Sequence, residues 1–159
     1  MSKSNIIEAK DILANQHTSV QSNQWPEFTQ DANDDRQDHF IVRGDKVFAG
    51  THLIIDLWGA KNLDDLAIME QAMREAVEKA KATLLHIHLH HFTPNGGISG
   101  VAVLAESHIS VHTWPERNYA AFDVFMCGHA EPEQAILVFN KYFEPHNYDV
   151  KTILRGEIS

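Results

Sequence analysis

Hydrophobic and polar residues alternate along several short stretches of this chain, and the alternation predicts β-strands. Residues 47–58 are rich in apolar and β-branched side chains, and residues 83–92 alternate with a period of two. A period of two places successive side chains on opposite faces of a sheet. Further strands are predicted at residues 98–103, 107–112, 118–128 and 148–154.

Two other stretches repeat their apolar residues every three to four positions, which predicts two amphipathic helices. The first begins near Asn62, which would be its N-cap, and carries Met73 and Val77 on one side. The second begins near Pro132 and ends before Pro145. The order of the elements predicts an α+β fold, a two-layer sandwich in which a largely antiparallel sheet carries two main helices on one face.

The domain organisation follows from where the apolar pattern starts. Residues 1–45 are rich in Asn, Gln and Asp, which predicts a flexible polar N-terminal extension, with a short amphipathic helix at 6–13. Residues 46–159 are expected to form the packed domain. A chain of 159 residues is long enough for one such domain with its own core.

Composition narrows the class of protein without naming a reaction. A formal net charge of -9 argues against a nucleic-acid partner, and no apolar run approaches the length of a membrane span. The single cysteine excludes an internal disulfide framework, and the first residues lack the apolar core of a secretory signal. We therefore expect a cytoplasmic protein. A glycine-rich phosphate loop is absent, which argues against a nucleotide-binding Rossmann fold.

Three histidines at alternate positions of one predicted strand raise the possibility of a metal site. The rings of His86, His88 and His90 would share one face, about 6.5–7 Å apart along the backbone, and Leu85, Ile87 and Leu89 would share the other. No acidic residue stands nearby to orient such ligands. A half-solvated polar face is the simpler interpretation, and a metal-binding protein that uses these histidines is the alternative.

Residues 104–116 contain the densest group of reactive side chains, with two Ser, two His and two Glu. Alternation places Ser107 and His112 on opposite faces unless the strand bends near residue 107. The Gly-x-Ser-x-Gly elbow is also absent, so a hydrolytic triad is weakly supported. Cys127 ends a strand beside Gly128, where a thiol can point into a site, although buried spectator thiols are common.

The string from Glu106 to Glu116 resembles the self-processing motif of prokaryotic S-adenosylmethionine decarboxylases. Residues 50–53, 92–100 and 120–128 are similar to further motifs of that family, so the resemblance covers residues 46–156. It implies that the Ser107 hydroxyl attacks the carbonyl of Glu106 and forms an ester. Elimination then cuts the chain between 106 and 107 into a β chain, 1–106, and an α chain, 107–159. Residue 107 becomes dehydroalanine and, on hydrolysis, a pyruvoyl group.

The resemblance also implies a role for other residues that match these motifs. His112 would remove the α-proton during processing, and Ser99 would support processing by hydrogen bonding. The pyruvoyl group would form a Schiff base with the substrate amine and accept electrons as CO2 leaves. Cys127 would then reprotonate the product.

The substrate implied by the resemblance is S-adenosylmethionine, decarboxylated to the aminopropyl donor of spermidine synthesis. Phe92 would stack on the adenine ring, and Glu116 would hold the ribose hydroxyls. The assembly implied is a symmetric homodimer of cleaved protomers, with no metal. Arginine or ornithine as substrate of the same pyruvoyl chemistry is the alternative.

Overall fold

The computed structural model of the protein describes residues 40–105 and 107–158. The flexible extension and the short helix predicted near the N-terminus lie outside the described residues, apart from the last few positions. Those positions form a strand in which Ile41 is buried and pairs with Phe48. No helix in the described ranges is long and apolar enough to cross a membrane.

One sheet of seven strands, with every neighbouring pair antiparallel, forms the larger layer. The strands are β1 (Ile41–Arg43), β2 (Lys46–Trp58), β3 (Leu84–His91), β4 (Ile98–Leu104), β5 (Ser107–Trp114), β6 (Tyr119–Met126) and β7 (Asn147–Glu157). From β2 the order continues through β6, β5 and β4 to β3, and β1 and β7 also pair with β2. Strand β5 therefore lies well inside the sheet.

Helices α1 (Leu66–Lys79) and α2 (Gln134–Phe143) form the second layer. Met73 of α1 and Phe139 of α2 are fully buried in the same core as Phe122 of β6. The rings of Phe122 and Phe139 stack with their centres 4.0 Å apart. Burying each such side chain contributes about 1.5–3 kcal/mol to folding. The two-layer α+β sandwich predicted from the sequence is confirmed.

Helix α1 begins later than predicted because its N-cap is Asp65. The Asp65 carboxylate accepts a hydrogen bond from the backbone N–H of Ile68 at 3.0 Å. The predicted cap, Asn62, is wrong. Asn62 adopts a left-handed conformation with φ of 60°, and its side-chain amide donates to the carbonyl of Tyr142 at 3.0 Å. Asn62 therefore ties the segment before α1 to the end of α2.

An irregularity in β3 changes which of its side chains face the core. The pairing with β4 shifts between Leu84 and His86, so Leu84 packs against the core and Leu85 is 64% exposed. Such a bulge adds one residue and reverses the alternation on one side of it. The prediction that Leu85 shares one face with Ile87 and Leu89 is wrong, because Ile87 and Leu89 pack against the core and Leu85 does not.

The other face of the sheet carries no helix among the described residues, and we call it the open face. It presents alternate residues of β2, β5 and β6, including Trp58 and Trp114, which are 40% and 42% exposed. Its remaining members on these strands include His52, Ile54, Asp56, His108, Ser110, His112, Tyr119, Ala121, Asp123 and Phe125. Most of the residues singled out for chemistry lie on this face or at its ends.

Candidate active site

Ser107 and Cys127 lie side by side at one end of strands β5 and β6. Ser107 is the first residue of β5, and Cys127 directly follows β6. The antiparallel pairing of these strands places His108 opposite Phe125. Ser107 precedes His108 and Cys127 follows Phe125 by two residues, so the pairing brings Ser107 and Cys127 together. The Ser107 Oγ and Cys127 Sγ atoms are 3.8 Å apart. The predicted pyruvoyl precursor therefore contacts the predicted proton donor, and the predicted cleavage partner Glu106 lies outside the described residues.

Ser99 and His112 form a second pair. They face each other across β4 and β5. The Ser99 hydroxyl and the His112 Nδ1 atom are 2.9 Å apart, a normal hydrogen-bond distance. This bond fixes the orientation of the imidazole ring and occupies one of its two nitrogens. The two residues predicted to support processing are thus held together by their own side chains.

A cavity of about 220 Å³ opens beside this pair. Its walls are Phe92, Asn95, Gly97, Ser99, His112, Thr113, Trp114 and Glu116. A single 3₁₀ turn, Pro115–Arg117, brings Glu116 to the cavity, and Asn118 ends the turn in a left-handed conformation with φ of 50°. Phe92 directly follows β3, and its N–H donates to the carbonyl of Gly97 at 2.7 Å. Four of the predicted site residues therefore meet at this cavity.

Thr113 anchors the floor of the cavity to the rest of the fold. Its buried hydroxyl donates to the carbonyl of Leu63 and accepts from the N–H of Ile98, both at 2.8 Å. Gly97 packs closely against the same residue, because a Cβ at Gly97 would lie 2.9 Å from the Thr113 carbonyl oxygen. A larger side chain at Gly97 would push the loop that carries Phe92 away from β5.

The two pairs lie at opposite ends of β5. Ser107 is paired with Leu104 at one end, and His112 is paired with Ser99 at the other. Ser107 and His112 are five residue steps apart on an extended strand, a distance of about 17 Å at ~3.3 Å per residue. The pairing is continuous between them, so the predicted bend does not bring them together. Within one chain, Ser107 meets Cys127 and His112 meets Ser99, but the pairs do not meet.

Between these ends the open face carries a small group of ionisable side chains. The His52 Nε2 atom lies 2.9 Å from the Asp123 carboxylate, and the Ser110 hydroxyl donates to the same carboxylate at 3.4 Å. Burial, followed by the nearby charge of His52, lowers the pKa of His108 below its usual range. The neutral form of His108 is therefore favoured beside Ser107.

Comparison with known proteins identifies the family of this chain. A family model described as S-adenosylmethionine decarboxylase matches residues 51–156. The chain belongs to the S-adenosylmethionine decarboxylase family. The S-adenosylmethionine decarboxylase proenzyme of Thermomicrobium roseum is 47% identical over 110 residues, which cover 69% of this chain and 95% of the relative. The proenzyme of Methanococcus maripaludis is 48% identical over 112 residues, covering 69% of this chain and 91% of the relative.

A solved structure of an adenosylmethionine decarboxylase shares the fold. The crystal structure of the protein from Aquifex aeolicus matches with a TM-score of 0.64 at 32% sequence identity. The match covers 70% of this chain and 94% of the other. S-adenosylmethionine decarboxylases of this family carry a pyruvoyl group that a serine provides through self-cleavage. Ser107 fits such a group, because its hydroxyl stands at a strand end beside a thiol.

The metal-binding hypothesis finds no support in an S-adenosylmethionine decarboxylase with this geometry. His86, His88 and His90 do lie on one face of the edge strand β3, and all three are exposed. In the part of the chain that the structure describes, no group of three or more His, Cys, Asp or Glu residues could hold a metal ion. The His90 ring instead packs edge-to-face against the ring of Phe92, with their centres 4.5 Å apart.

Trp114 and Thr113 are among the four cavity residues that received no role from the sequence. Trp114 ends β5 and forms part of the cavity wall, and Thr113 forms part of the floor. Alternation could have revealed Trp114, because it shares a face with His112, and a large aromatic side chain on a polar face calls for an explanation. Thr113 could not have been found in this way, because its partners Leu63 and Ile98 are distant in the chain.

Proposed function

We propose that this protein decarboxylates S-adenosylmethionine with a pyruvoyl group derived from Ser107, and so supplies the aminopropyl donor for spermidine synthesis. The observation that carries the proposal is the contact between Ser107 Oγ and Cys127 Sγ in a member of the S-adenosylmethionine decarboxylase family. Family membership favours S-adenosylmethionine over arginine or ornithine as the substrate. The proposed location is the cytoplasm, as expected from the sequence.

The proposed maturation step is self-cleavage between Glu106 and Ser107. The Ser107 Oγ attacks the carbonyl carbon of Glu106, the peptide C–N bond breaks, and an ester links the two residues. Loss of the α-proton of residue 107 then expels the Glu106 carboxylate and leaves dehydroalanine. Addition of water and loss of ammonia complete the conversion. The β chain then comprises residues 1–106, and the α chain residues 107–159.

The side chains around Ser107 and His112 suit the proton transfers of this chemistry. Because Ser99 occupies the Nδ1 atom of His112, the other ring nitrogen is left to take the α-proton during cleavage. In this proposal Cys127, whose Sγ lies 3.8 Å from the Ser107 Oγ of the uncut chain, holds a proton and delivers it to the substrate carbon that has lost CO2. The pyruvoyl group supplies the electron sink that an amino-acid decarboxylation requires.

The cavity offers complementary groups for the adenosyl part of the substrate. Phe92 presents a half-exposed ring that can stack on a base and attract a sulfonium cation. Glu116 presents a carboxylate that can accept hydrogen bonds from two ribose hydroxyls. The cavity volume of about 220 Å³ is below the ~300–1,000 Å³ typical of complete small-molecule sites. This small volume supports a binding surface to which one chain contributes only part.

The complete site, in this proposal, forms between two copies of the chain in a symmetric homodimer. The open faces would pack together, with a two-fold axis that reverses the direction of β5 in the partner. Ser107 and Cys127 of one protomer would then approach the cavity and His112 of the other. The exposed apolar side chains of Trp58, Val103 and Ile153, each about 40% exposed, support burial of this face.

Intact-mass measurement and a substrate assay test the function. The purified wild-type protein should contain two chains that meet at residues 106 and 107, and Ser107→Ala should remain one chain of 18.0 kDa. CO2 should be released from S-adenosylmethionine and not from arginine or ornithine. A wild-type protein that remains a single uncut chain, as Ser107→Ala does, would overturn the proposal. Release of CO2 from arginine or ornithine alone would make that amino acid the substrate in place of S-adenosylmethionine.

A further inference from the structure

Three aromatic rings form a stack on the open face, and the stack ends at the wall of the cavity. The rings of Trp58 on β2 and Tyr119 on β6 lie 6.0 Å apart between centres, at an angle of 28°. The rings of Tyr119 and Trp114 lie 5.3 Å apart at 29°. These are the near-parallel, offset arrangements that aromatic pairs prefer. Trp114 is thus both a cavity wall and the last ring of a stack.

The middle ring of the stack is also held at its hydroxyl. Tyr119 donates a hydrogen bond to the Asp56 carboxylate at 2.6 Å. Burial, together with this hydrogen bond, raises the pKa of Tyr119 to about 12, so the donor keeps its proton at neutral pH. Asp56 and Trp58 both belong to β2, and Trp58 is directly paired with Tyr119. A central strand therefore fixes both the hydroxyl and the outer side of the stack.

We infer that Tyr119 is a positioning residue for substrate binding, with its hydroxyl held by Asp56 and its ring holding the indole of Trp114 at the cavity wall. The inference rests on the proposed function, in which this cavity takes the adenosyl part of the substrate. Tyr119 is absent from the cavity walls and acts through Trp114. Because Tyr119 acts only through Trp114, a wall of the cavity, and not through Ser107 or Cys127, loss of Tyr119 should weaken substrate binding more than it slows decarboxylation.

Two substitutions separate the ring from the hydroxyl. Tyr119→Leu removes both, and Tyr119→Phe removes only the hydrogen bond to Asp56. Tyr148→Leu is the matched control, because Tyr148 is a half-exposed tyrosine on β7 that lies outside the cavity. We expect Tyr119→Leu to raise KM about tenfold and Tyr119→Phe about two- to threefold, with kcat within about twofold. The control should change neither constant.

A double-mutant cycle identifies the hydrogen bond as the cause of the smaller effect. Tyr119→Phe combined with Asp56→Ala should raise KM no more than the larger of the two single substitutions, because both remove the same bond. A loss of general stability would instead make the two effects add. Additive increases in KM would therefore overturn the role assigned to Asp56.

Wild-type controls distinguish failure of this inference from failure of the proposed function. Absence of self-cleavage or of CO2 release in the wild-type protein would count against the proposed function alone. Calorimetric binding of methylthioadenosine then tests Tyr119 without turnover, with about tenfold weaker binding expected for Tyr119→Leu. Wild-type affinity or KM in a folded Tyr119→Leu protein would overturn the inference, as would a wild-type protein that binds no methylthioadenosine. If Tyr119→Leu does not fold, an unchanged KM in Tyr119→Phe would overturn it.

Discussion

Ser107 and His112 occupy opposite ends of the same strand, although the chemistry proposed for them requires contact. Ser107 is paired with Leu104 and His112 with Ser99, and the strand between them is continuous. The separation of about 17 Å exceeds the reach of both side chains. Bending β5 would also disturb Ile109 and Val111, which are fully buried in the core. In the proposed homodimer, a second copy of the chain would meet this requirement without any distortion of the strand.

Removing the thiol should impair turnover more than self-cleavage. Cys127→Ala is expected to cut itself at least partly, because the attacking hydroxyl is that of Ser107. Decarboxylation should fall by about 10²- to 10⁴-fold, the usual contribution of a positioned general acid, or give a wrongly protonated product. Chain masses and product analysis of the same sample measure the two effects. Normal turnover by Cys127→Ala would mean that another group delivers the proton.

Loss of the Ser99 hydroxyl should slow self-cleavage. Ser99→Ala removes the hydrogen bond that orients His112, and an unsatisfied partner costs about 1–3 kcal/mol, equivalent to roughly 5- to 150-fold in rate. The fraction of cut chain against time gives the rate. Ser110→Ala is the control, because Ser110 also stands on β5 but bonds to Asp123 outside the cavity. Equal rates of self-cleavage in Ser99→Ala and Ser110→Ala would show that Ser99 does not support cleavage.

The ring of Phe92 should matter for substrate binding and not for maturation. Phe92→Leu keeps an apolar side chain but loses the aromatic face, and we expect KM to rise about tenfold while cleavage stays complete. Phe40→Leu is a suitable control, since Phe40 is similarly exposed but outside the cavity. Steady-state kinetics on both variants provide the comparison. An unchanged KM for Phe92→Leu would mean that the adenine ring of the substrate does not stack on Phe92.

The lowered pKa of His108 should make folding stability depend on pH. The unfolded chain binds a proton at this residue near pH 6.5, whereas the folded chain does so only at lower pH. The unfolded state therefore carries more protons as the pH falls below about 6.5, and the free energy of unfolding decreases. His108→Asn should flatten this dependence in urea denaturation between about pH 7 and pH 5. An unchanged slope would assign the dependence to other groups.

The fold class could be predicted from the sequence because its determinants are local. Ile109 and Val111 alternate with polar residues, and Met73 and Val77 recur at helical spacing. The local sequence of each element therefore indicates which of its faces is buried. The wrong details depend on contacts between distant segments. The side chain of Asn62 bonds to the carbonyl of Tyr142 instead of capping the helix, and the shifted pairing of β3 with β4 leaves Leu85 exposed.

The candidate site was only partly predictable for a related reason. A family motif marks residues such as Ser107 and His112 one by one, but it carries no information on the strand register that separates them. The roles assigned to these residues stay predictions. The contacts of Tyr119 with Asp56 and Trp114 depend on three strands that come together only in the folded sheet. No local pattern could have revealed it.

Mixing two defective chains tests the shared site most directly. Ser107→Ala lacks the precursor of the pyruvoyl group, and His112→Ala lacks the group that assists its formation, so each homodimer should remain uncut. A heterodimer, isolated with two different affinity tags, combines an intact Ser107 from one chain with an intact His112 from the other. We predict cleavage of the His112→Ala chain alone, with about half of the wild-type decarboxylase activity per dimer. A heterodimer that remains uncut and inactive would contradict a site built from two copies of the chain.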